Sequence, residues 1–314
     1  MNLYDELQSH FLMPTAYADW SDYRAYMTDL LIQHTKQYSL PLAFHANMSV
    51  TDIQPTLLIV GAGACNDLDL SKLLPHFSSI TLLDYNNDTL QQAKATYHLE
   101  DDPHVITYLA SINGQSDTTY RQFCYELSEF VRTCDSNDIP ITDVVFDDFC
   151  CHTLPKYLHT SDKEIPVLSN HHYDYVWCVG VHSQLQSMFA YIFRAFEENL
   201  KHRNPNYVTK NEESRFYQML KEENNLFIPR FHDALLKCAT QNLFIGVEES
   251  RVSADTKPIA QPIHTPIEGA YQAIQDLQKR PLSKTIQNVF WPFHPDSQLY
   301  YSIHLEIIQQ SPNH

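Results

Sequence analysis

Two glycines, placed two positions apart after an apolar run, constrain the fold of this chain more than any other feature. Only six glycines occur among 314 residues, about 2% where globular proteins usually have ~7%. Gly61 and Gly63 directly follow the apolar residues 57–60 (LLIV). Such a short continuous run is typical of a parallel strand buried on both faces. Glycine lets the backbone turn sharply there and approach a ligand closely. The pair therefore predicts a ligand-binding turn at the end of a strand.

Helix-like and strand-like segments alternate after this turn. The sequence predicts helices over 66–76 and 89–97, and strands over 79–83 and 104–109, the first of these strands ending at Asp84. Strand, glycine turn, helix and strand make one βαβ unit. Continued alternation indicates an α/β protein with a doubly wound, mostly parallel sheet.

The remaining segments complete the predicted domain organisation. Strands are expected at 173–181, 243–247, 286–291 and 299–308, the last two forming an antiparallel C-terminal hairpin, with helices at 183–200, 211–223, 229–240 and 268–279. Residues 1–50 are predicted as an N-terminal helical cap, and 51–314 as one Rossmann-like domain. That domain carries an insertion at about 114–170, because the interval is too long for a plain connection. Within it we expect a helix over 118–133, a strand over 141–146 and an irregular segment over 155–170.

Composition limits the partners. The chain has 21 Lys and Arg against 38 Asp and Glu, a net charge of −17, which argues against nucleic acid because phosphate binding depends on clustered basic residues. No apolar run approaches the ~20 residues of a membrane span. The first ten residues are acidic where a signal peptide is basic. We expect a cytoplasmic protein with seven reduced cysteines, acting on a small molecule or a protein, and a homo-oligomer stays open.

The glycine turn and Asp84 together predict a nucleoside site. Asp84 ends the second strand, 21 positions after Gly63, where a carboxylate can accept hydrogen bonds from two ribose hydroxyls. The dinucleotide fingerprint GxGxxG would need glycine at position 66, and this chain has Asn66. NAD is therefore disfavoured. A tight turn without any ligand stays open as an alternative.

The segment 60–63 (VGAG) followed by Asp84 and Tyr85, together with the C-terminal hairpin, resembles the class I S-adenosylmethionine-dependent methyltransferases. The resemblance extends over 55–112, 173–200, 243–249 and the hairpin. It implies a seven-stranded sheet whose last strand is antiparallel, and S-adenosylmethionine as cofactor. It also implies a set of cofactor-binding residues: Gly61, Ala62 and Gly63 around the methionine part, Asp84 on the ribose, Tyr85, Ser111 and Ile112 near the adenine, and Gly180.

His182 is the candidate catalytic residue. It follows the fourth predicted strand, on the side of the sheet where such enzymes expose groups to the acceptor. Methyl transfer depends mainly on proximity and orientation, and a base is needed only where the acceptor loses a proton. Histidine can act as such a base, since its ordinary pKa is near 6.5. The alternative is a histidine that only caps the next helix or fills space.

A cluster of acidic, cysteine and histidine residues suggests different chemistry. The segment 147–152 (DDFCCH) gathers potential metal ligands, but adjacent cysteines chelate one ion poorly, and no second spaced pair is present. We expect no metal there, and interpret the segment as a polar loop over the cofactor crevice. The predicted function is methyl transfer to an oxygen or nitrogen of a small molecule or protein side chain. The alternatives are a catalytically silent nucleoside-binding or scaffolding protein on the same fold, and an NAD(P)-linked oxidoreductase.

Overall fold

The computed structural model describes residues 3–11, 13–46, 54–158, 165–209, 214–253, 263–266 and 269–310. Its strands belong to one mixed sheet. They are Thr56–Val60 (β1), Ser79–Asp84 (β2), Val105–Leu109 (β3), Tyr173–Val179 (β4), Ala239–Ser253 (β5), Ile263–Pro266 (β6), Ser283–His294 (β7) and Leu299–Gln309 (β8).

The α-helices of the described residues vary widely in length. They are Leu3–Phe11 (α1), Ala16–Asp19 (α2), Ser21–Ala46 (α3), Leu70–Leu73 (α4), Asn87–Thr96 (α5), Asp117–Ser136 (α6), Asp143–Thr153 (α7), Pro166–Ser169 (α8), Ser187–Arg203 (α9), Arg215–Cys238 (α10) and Ala270–Lys279 (α11). Among the described residues, none of these helices combines the length and the apolar character that a membrane span requires.

Seven strands follow the order β3-β2-β1-β4-β5-β8-β7, and β6 pairs with β5 outside that path. Strands β1 to β5 pair in parallel, whereas β8 is antiparallel to both β5 and β7. The chain builds outward from β1 to β3 on one side and from β4 to β5 on the other. The boundary between β1 and β4 is therefore the topological switch point, outside whose carboxyl ends ligands bind in such sheets. The predicted sheet class and antiparallel C-terminal hairpin are confirmed.

Burial explains why these segments form strands. Residues 57–60 of β1 are all buried, with at most 1% of each side chain exposed, as expected for a central parallel strand covered on both faces. The edge strand β3 leaves Ile106 and Leu109 exposed. Apolar runs therefore located β1, β2 and β4 to within two residues at each end.

The described chain divides into two compact units, each built from three segments. Residues 14–112, 164–182 and 230–314 contain the sheet, and residues 1–13, 113–163 and 183–229 form a helical unit. The helical unit has a core rich in aromatic rings, in which Phe193 stacks on Phe216 with centroids 4.4 Å apart and an interplanar angle of 11°. The predicted boundaries at residue 50 and at 114–170 stay predictions.

Three predicted elements are wrong. Residues 141–146 do not form a strand, because the Thr142 hydroxyl accepts a hydrogen bond from the Val145 N–H and begins α7. The segment 147–152 therefore lies on this helix and is not a loop. Residues 66–69 are not helical, since the first helix after the glycine turn is the four-residue α4. Two predicted helices are one, α10, which continues through Pro229.

Other elements differ from the prediction in length or in their first residue, and one strand was not predicted. Strand β6 was not predicted, and β5 is 15 residues long where five were expected. The expected helix at 183–200 begins only at Ser187, after a 3₁₀ turn at His182–Gln184. Parts of four expected segments lie outside the described residues: 1–2, 12 and 47–50 of the N-terminal cap, and residues 159–164, 211–213 and 268.

Candidate functional site

The two glycines of the turn adopt left-handed backbone conformations but meet different surroundings. Gly61 has φ +69° and Gly63 has φ +51°, a region that L-residues with a Cβ rarely adopt. A Cβ added at Gly61 would lie 2.6 Å from Val181 Cγ2, whereas one added at Gly63 would meet no atom within 4 Å. Gly61 is therefore required by packing. Gly63 borders open space, as a ligand-binding turn requires.

Asp84 is joined to this turn by its side chain. Its Oδ2 accepts a hydrogen bond of 2.9 Å from the Gly63 N–H, and its Oδ1 accepts one of 2.9 Å from the Asn86 N–H. The backbone N–H of Tyr85 also interacts with this carboxylate, which can accept about four hydrogen bonds and so keeps capacity for a ligand hydroxyl. Burial raises the pKa of Asp84, although these backbone donors oppose that shift. The predicted pairing of turn and strand-end acid is present in space.

The loop beyond the turn is held by side chains from two helices. The Tyr97 hydroxyl donates to the backbone oxygens of Cys65 and Leu68, at 3.1 and 2.7 Å. Arg24 of α3 donates from Nη1 to the Asn66 oxygen at 3.2 Å. The loop therefore has a fixed path without forming a helix. No helix N-terminus lies directly beside the turn in this part of the described chain, because α4 begins only at Leu70.

Two acids that sequence reasoning missed, the partly buried Asp67 and the buried Glu248, extend the site across the switch point. Asp67 follows the glycine turn and accepts a hydrogen bond from Trp177 Nε1 at 3.3 Å. Loss of solvent raises the pKa of its carboxyl to about 6. Glu248, on β5, has 2% of its surface exposed. Burial, followed by the charges of Asp67 and Glu248, raises the pKa of Tyr23 well above its ordinary value. An acid with a raised pKa, such as Asp67, at the carboxyl ends of the strands is a candidate for function.

Aromatic rings lie beside Glu248. Trp291 of β7 stacks on Tyr23 of α3 with centroids 5.9 Å apart, and Trp20 meets Trp291 edge-on at 4.9 Å. A Cβ added at Gly180 would lie 3.5 Å from Glu248 Oε1 and 3.8 Å from two ring carbons of Trp291. No periodicity in the sequence signals this group, because its members come from the start of α3, the turn after β4, and strands β5 and β7.

His182 lies in a buried chain of hydrogen bonds. Its Nε2 lies 2.9 Å from His232 Nε2, and His232 Nδ1 lies 2.7 Å from Asp276 Oδ2. Asp276 in turn accepts from Arg280 Nε at 2.8 Å. The ring of His182 has no exposed surface. Burial, with the charge of His232, lowers its pKa well below the ordinary value. The role of base stays a prediction, and this geometry does not favour it.

The other predicted cofactor residues lie at the same sheet edge. Asp84 of β2 pairs with Leu109 of β3, so Tyr85 follows one strand while Ser111 and Ile112 follow the other. Tyr85 is 43% exposed. Ala62 donates its N–H to the Leu83 oxygen at 3.0 Å and is buried. The cofactor roles of these residues and of Gly180 stay predictions.

The sheet decides the fold class. A seven-stranded path with parallel strands on both sides of the switch point, closed by an antiparallel strand between β5 and β7, is what the resemblance implied. The fold is therefore a doubly wound α/β fold with an antiparallel C-terminal strand pair.

Comparisons with known proteins find only distant likenesses, all among solved structures. No protein-family model and no curated protein matches the chain. Among solved structures, magnesium protoporphyrin IX methyltransferase from Synechocystis with bound S-adenosylhomocysteine is 9% identical, with a TM-score of 0.38 over 98% of this chain and 99% of that one. TehB from Haemophilus influenzae is 9% identical, with a TM-score of 0.37 over 87% of this chain and 61% of that one. An O-methyltransferase family protein from Burkholderia thailandensis is also 9% identical, with a TM-score of 0.36, 95% of this chain being covered and 62% of the other. Likenesses of this degree say nothing about which molecules this chain binds.

Proposed function

We propose that this chain binds S-adenosylmethionine and transfers its methyl group to an oxygen or nitrogen of a small molecule or protein side chain. The observation that carries the proposal is the hydrogen bond from Gly63 to Asp84 at the edge of open space. This hydrogen bond places a backbone position that has no side chain next to a carboxylate that can accept further hydrogen bonds. Asp84 would accept the ribose hydroxyls, and the turn from Gly61 to Gly63 would hold the methionine part.

The charge of the crevice favours this cofactor over a dinucleotide. Asp84, Asp67 and Glu248 contribute carboxylates near the switch point, while the basic side chain at the loop, Arg24, donates to the backbone oxygens of Tyr17 and Asn66. S-adenosylmethionine carries a net positive charge at neutral pH, whereas NAD carries an anionic pyrophosphate that needs glycines and a helix N-terminus. The loop 64–69 offers no such helix. The oxidoreductase alternative is therefore disfavoured.

The residues of this chain would contribute mainly binding and orientation. When bound, the sulfonium of the cofactor supplies an activated methyl group. Asp67 lies within the loop that follows the turn, where its carboxylate can hold a cationic group such as the amino group of the methionine part. Since His182 has no exposed surface, acceleration would come from in-line positioning, which can contribute ~7–11 kcal/mol to such reactions.

A silent scaffold on the same fold remains the second candidate. The observation that favours it is the sealed, hydrogen-bonded ring of His182, because no accessible base follows β4 at that position. Such a protein would bind the cofactor without consuming it, so the two candidates differ in turnover and not in cofactor affinity.

Calorimetry tests the proposal. The unmodified chain should bind S-adenosylmethionine and S-adenosylhomocysteine with micromolar Kd and show no heat with NAD. Asp84→Ala should weaken both by at least tenfold, about 1.4 kcal/mol or more. Asp88→Asn, an exposed change in the first turn of α5, serves as the matched control and should leave both unchanged. Binding of NAD alone, or affinity indifferent to Asp84→Ala, would contradict the proposal.

Turnover is measured separately. Purified protein would be incubated with S-adenosylmethionine and a panel of hydroxyl- and amine-bearing acceptors, and S-adenosylhomocysteine would be quantified. Release that depends on one acceptor and disappears in Asp84→Ala supports the enzyme. Tight cofactor binding without release across the panel supports the scaffold.

A further inference from the structure

Strand β7 ends the sheet on one side and leaves an edge that no other strand covers in the described part of the chain. The strand order stops at β7, which pairs there with β8 alone. Every second residue of an edge strand directs its N–H and C=O groups away from the sheet, where they can pair with another strand. β7 extends over Ser283–His294 and exceeds the usual length of about five or six residues. The edge therefore offers a long ladder of main-chain donors and acceptors.

Most edge strands are protected from such pairing by charged side chains, proline or bulges. In β7 these protective features lie outside residues 285–291, because Lys284 precedes this segment and Pro292 follows it. The register shift of β7 lies between Trp291 and His294, also beyond the segment. Residues 285–291 (TIQNVFW) contain neither a charge nor a proline. We call them the open edge.

The exposed side chains of the open edge are complementary to themselves. Ile286 is 48% and Phe290 is 55% exposed, and Asn288 between them is exposed as well. When a second copy pairs antiparallel with Asn288 opposite the partner's Asn288, Ile286 lies opposite the partner's Phe290, and the same pair forms again on the other side of the axis. An aromatic residue opposite a β-branched one is a favourable cross-strand pair. The open edge thus has the self-complementarity that a twofold interface requires.

The charge around β7 also favours a second copy of this acidic chain. No Asp or Glu occurs between Asp276 and Asp296, although the whole chain has 38 acidic residues and a net charge of −17. Two copies of such a protein repel one another through most of their surface. A strand without acids lets two backbones meet with no like charges directly opposite. A basic partner would instead be attracted to the acidic surfaces.

We propose that this protein forms a twofold homodimer in which the open edges of two copies pair antiparallel about Asn288. The two sheets then become one continuous sheet. Main-chain hydrogen bonds supply affinity, and the pairs of Ile286 with the partner's Phe290 set the register. The dimer is independent of the proposed function, since neither these side chains nor Asn288 belongs to the candidate site.

Helix α3 makes the dimer depend on salt. The Tyr26 hydroxyl donates to Gln287 Oε1 at 3.0 Å, so this helix lies beside the open edge, on the face of β7 opposite to Phe290. Asp22 and Asp29 are exposed and lie four and three positions from Tyr26, on the same side of α3. Twofold pairing brings these carboxylates of the two copies toward one another. Because salt screens exposed charges, association should strengthen as salt is added.

Sedimentation velocity of the full chain tests the dimer. The protein would be run between about 1 and 100 μM, at about 0.05 and 0.5 M NaCl. We expect a dimer Kd on the order of 10 μM at the higher salt concentration. Ile286→Lys should weaken the dimer at least about tenfold, because it places a charge on the open edge. Ile106→Lys, at an equally exposed isoleucine (48%) on the opposite edge strand β3, is the matched control and should leave the Kd unchanged.

Cysteine cross-linking tests the register. All seven native cysteines are buried, so an introduced surface thiol reacts without competition. Asn288→Cys faces its own copy across the axis, where paired Cα atoms are about 4.5–5.5 Å apart, within disulfide range. It should give a covalent dimer under mild oxidation. Ile286→Cys and Phe290→Cys lie about 13 Å from their own copies. Each should cross-link only when the two variant proteins are mixed.

A charge exchange tests the same register without oxidation. The double variant Ile286→Glu with Phe290→Lys places opposite charges in each cross-strand pair and should dimerise. Ile286→Lys with Phe290→Lys places like charges there and should remain monomeric. Circular dichroism checks that each variant folds.

Four results would overturn the dimer. They are a monomer at the highest protein concentration in high salt, a dimer that weakens as salt is added, a Kd that responds to Ile106→Lys and not to Ile286→Lys, and equal sedimentation of the two double variants. Cross-linking of Asn288→Cys no faster than that of Ile106→Cys would overturn the register. None of these results bears on cofactor binding, which calorimetry measures separately.

Discussion

Gly61 and Gly63 share a backbone conformation but differ in what a side chain would meet, so single substitutions can separate folding from binding. A Cβ at Gly61 would overlap Val181, whereas one at Gly63 would enter open space. The same chemical change therefore has two different expected results within three residues. This difference was not predictable from the sequence, where both positions are simply glycine after a strand.

We expect Gly61→Ala to destabilise the fold by about 2–4 kcal/mol, because it combines left-handed strain with overlap against a packed side chain. Gly63→Ala should cost only about 1 kcal/mol of strain yet weaken S-adenosylmethionine binding at least tenfold. Gly269→Ala, at φ +82° before α11, controls for strain alone and should keep full affinity. Thermal melts and calorimetry measure the two effects. Unchanged affinity in Gly63→Ala would show that this open space does not receive the cofactor.

Asp67 should have two pH-dependent effects. Its protonated form should make the folded protein more stable in acid, and its ionised form should bind S-adenosylmethionine better. Its pKa is raised to about 6 from an ordinary 3.8. The folded state therefore gains stability from the proton below pH 3.8 and loses that gain as pH rises through about 6, a change of up to about 3 kcal/mol. We expect Asp67→Asn to raise the unfolding free energy at pH 7 and to weaken S-adenosylmethionine binding.

Chemical denaturation at pH 5 and pH 8, paired with calorimetry, tests this prediction. Cofactor affinity of the unmodified protein should also fall below about pH 6, and that dependence should vanish in Asp67→Asn. Asp88→Asn, exposed on α5, should change neither quantity. A variant that is less stable at pH 8 than the unmodified chain would refute the raised pKa.

At the level of elements, prediction succeeded where a segment's own pattern determines its structure. Central strands are buried on both faces, so continuous apolar runs located β1, β2 and β4. The run 141–146 has the same appearance, but the Thr142 cap and the aromatic core around Phe146 make it helical. Asp84 was predictable because its spacing from the turn is local. Glu248 and Asp276 were not, because only the sheet and helix packing bring them to their partners.

The hydrogen-bond chain that joins β4, α10 and α11 fixes the tautomers of two histidines. If His232 Nδ1 donates to Asp276, its Nε2 must accept from His182 Nε2–H, which leaves His182 Nδ1 unprotonated. Nitrogen-15 NMR should report that pattern for both rings. Asp276→Asn should destabilise the fold by about 1–3 kcal/mol, because it removes a charged acceptor from a buried donor.

The same hydrogen-bond chain makes the stability of the fold depend on pH. Burial lowers the pKa of both histidines, so the unfolded state binds more protons than the folded state below the ordinary histidine pKa. The stability that the two neutral rings contribute is therefore fully present above about pH 6.5 and is lost as the pH falls. His182→Gln should flatten that decline in urea melts between pH 5 and pH 7, whereas Asp296→Asn, an exposed change, should not. An Nδ1–H signal from His182 at neutral pH would contradict the assigned tautomers.

At the scale of the whole molecule, the overall negative charge and the carboxylates of the candidate site favour the same kind of ligand. The net charge of −17 and the carboxylates at the switch point both attract a cationic ligand. Surface charge is screened over about 10 Å at 0.1 M salt, whereas buried pairs are screened much less. Salt dependence can therefore divide the attraction into a long-range part, which depends on the surface of the chain, and a short-range part, which depends on Asp67 and Glu248.

We expect the affinity for S-adenosylmethionine to fall about threefold between about 20 and 500 mM NaCl, since exposed charges lose their reach over that interval. S-adenosylhomocysteine, with no net charge, should change by less than about 1.5-fold. Glu248→Gln should lower cofactor affinity at every salt concentration while keeping the slope, because the buried charge is little screened. Calorimetry across the salt series gives both slopes. If the two cofactor forms have equal slopes, the overall negative charge does not contribute to cofactor binding, and any preference between them must come from contacts within the crevice alone.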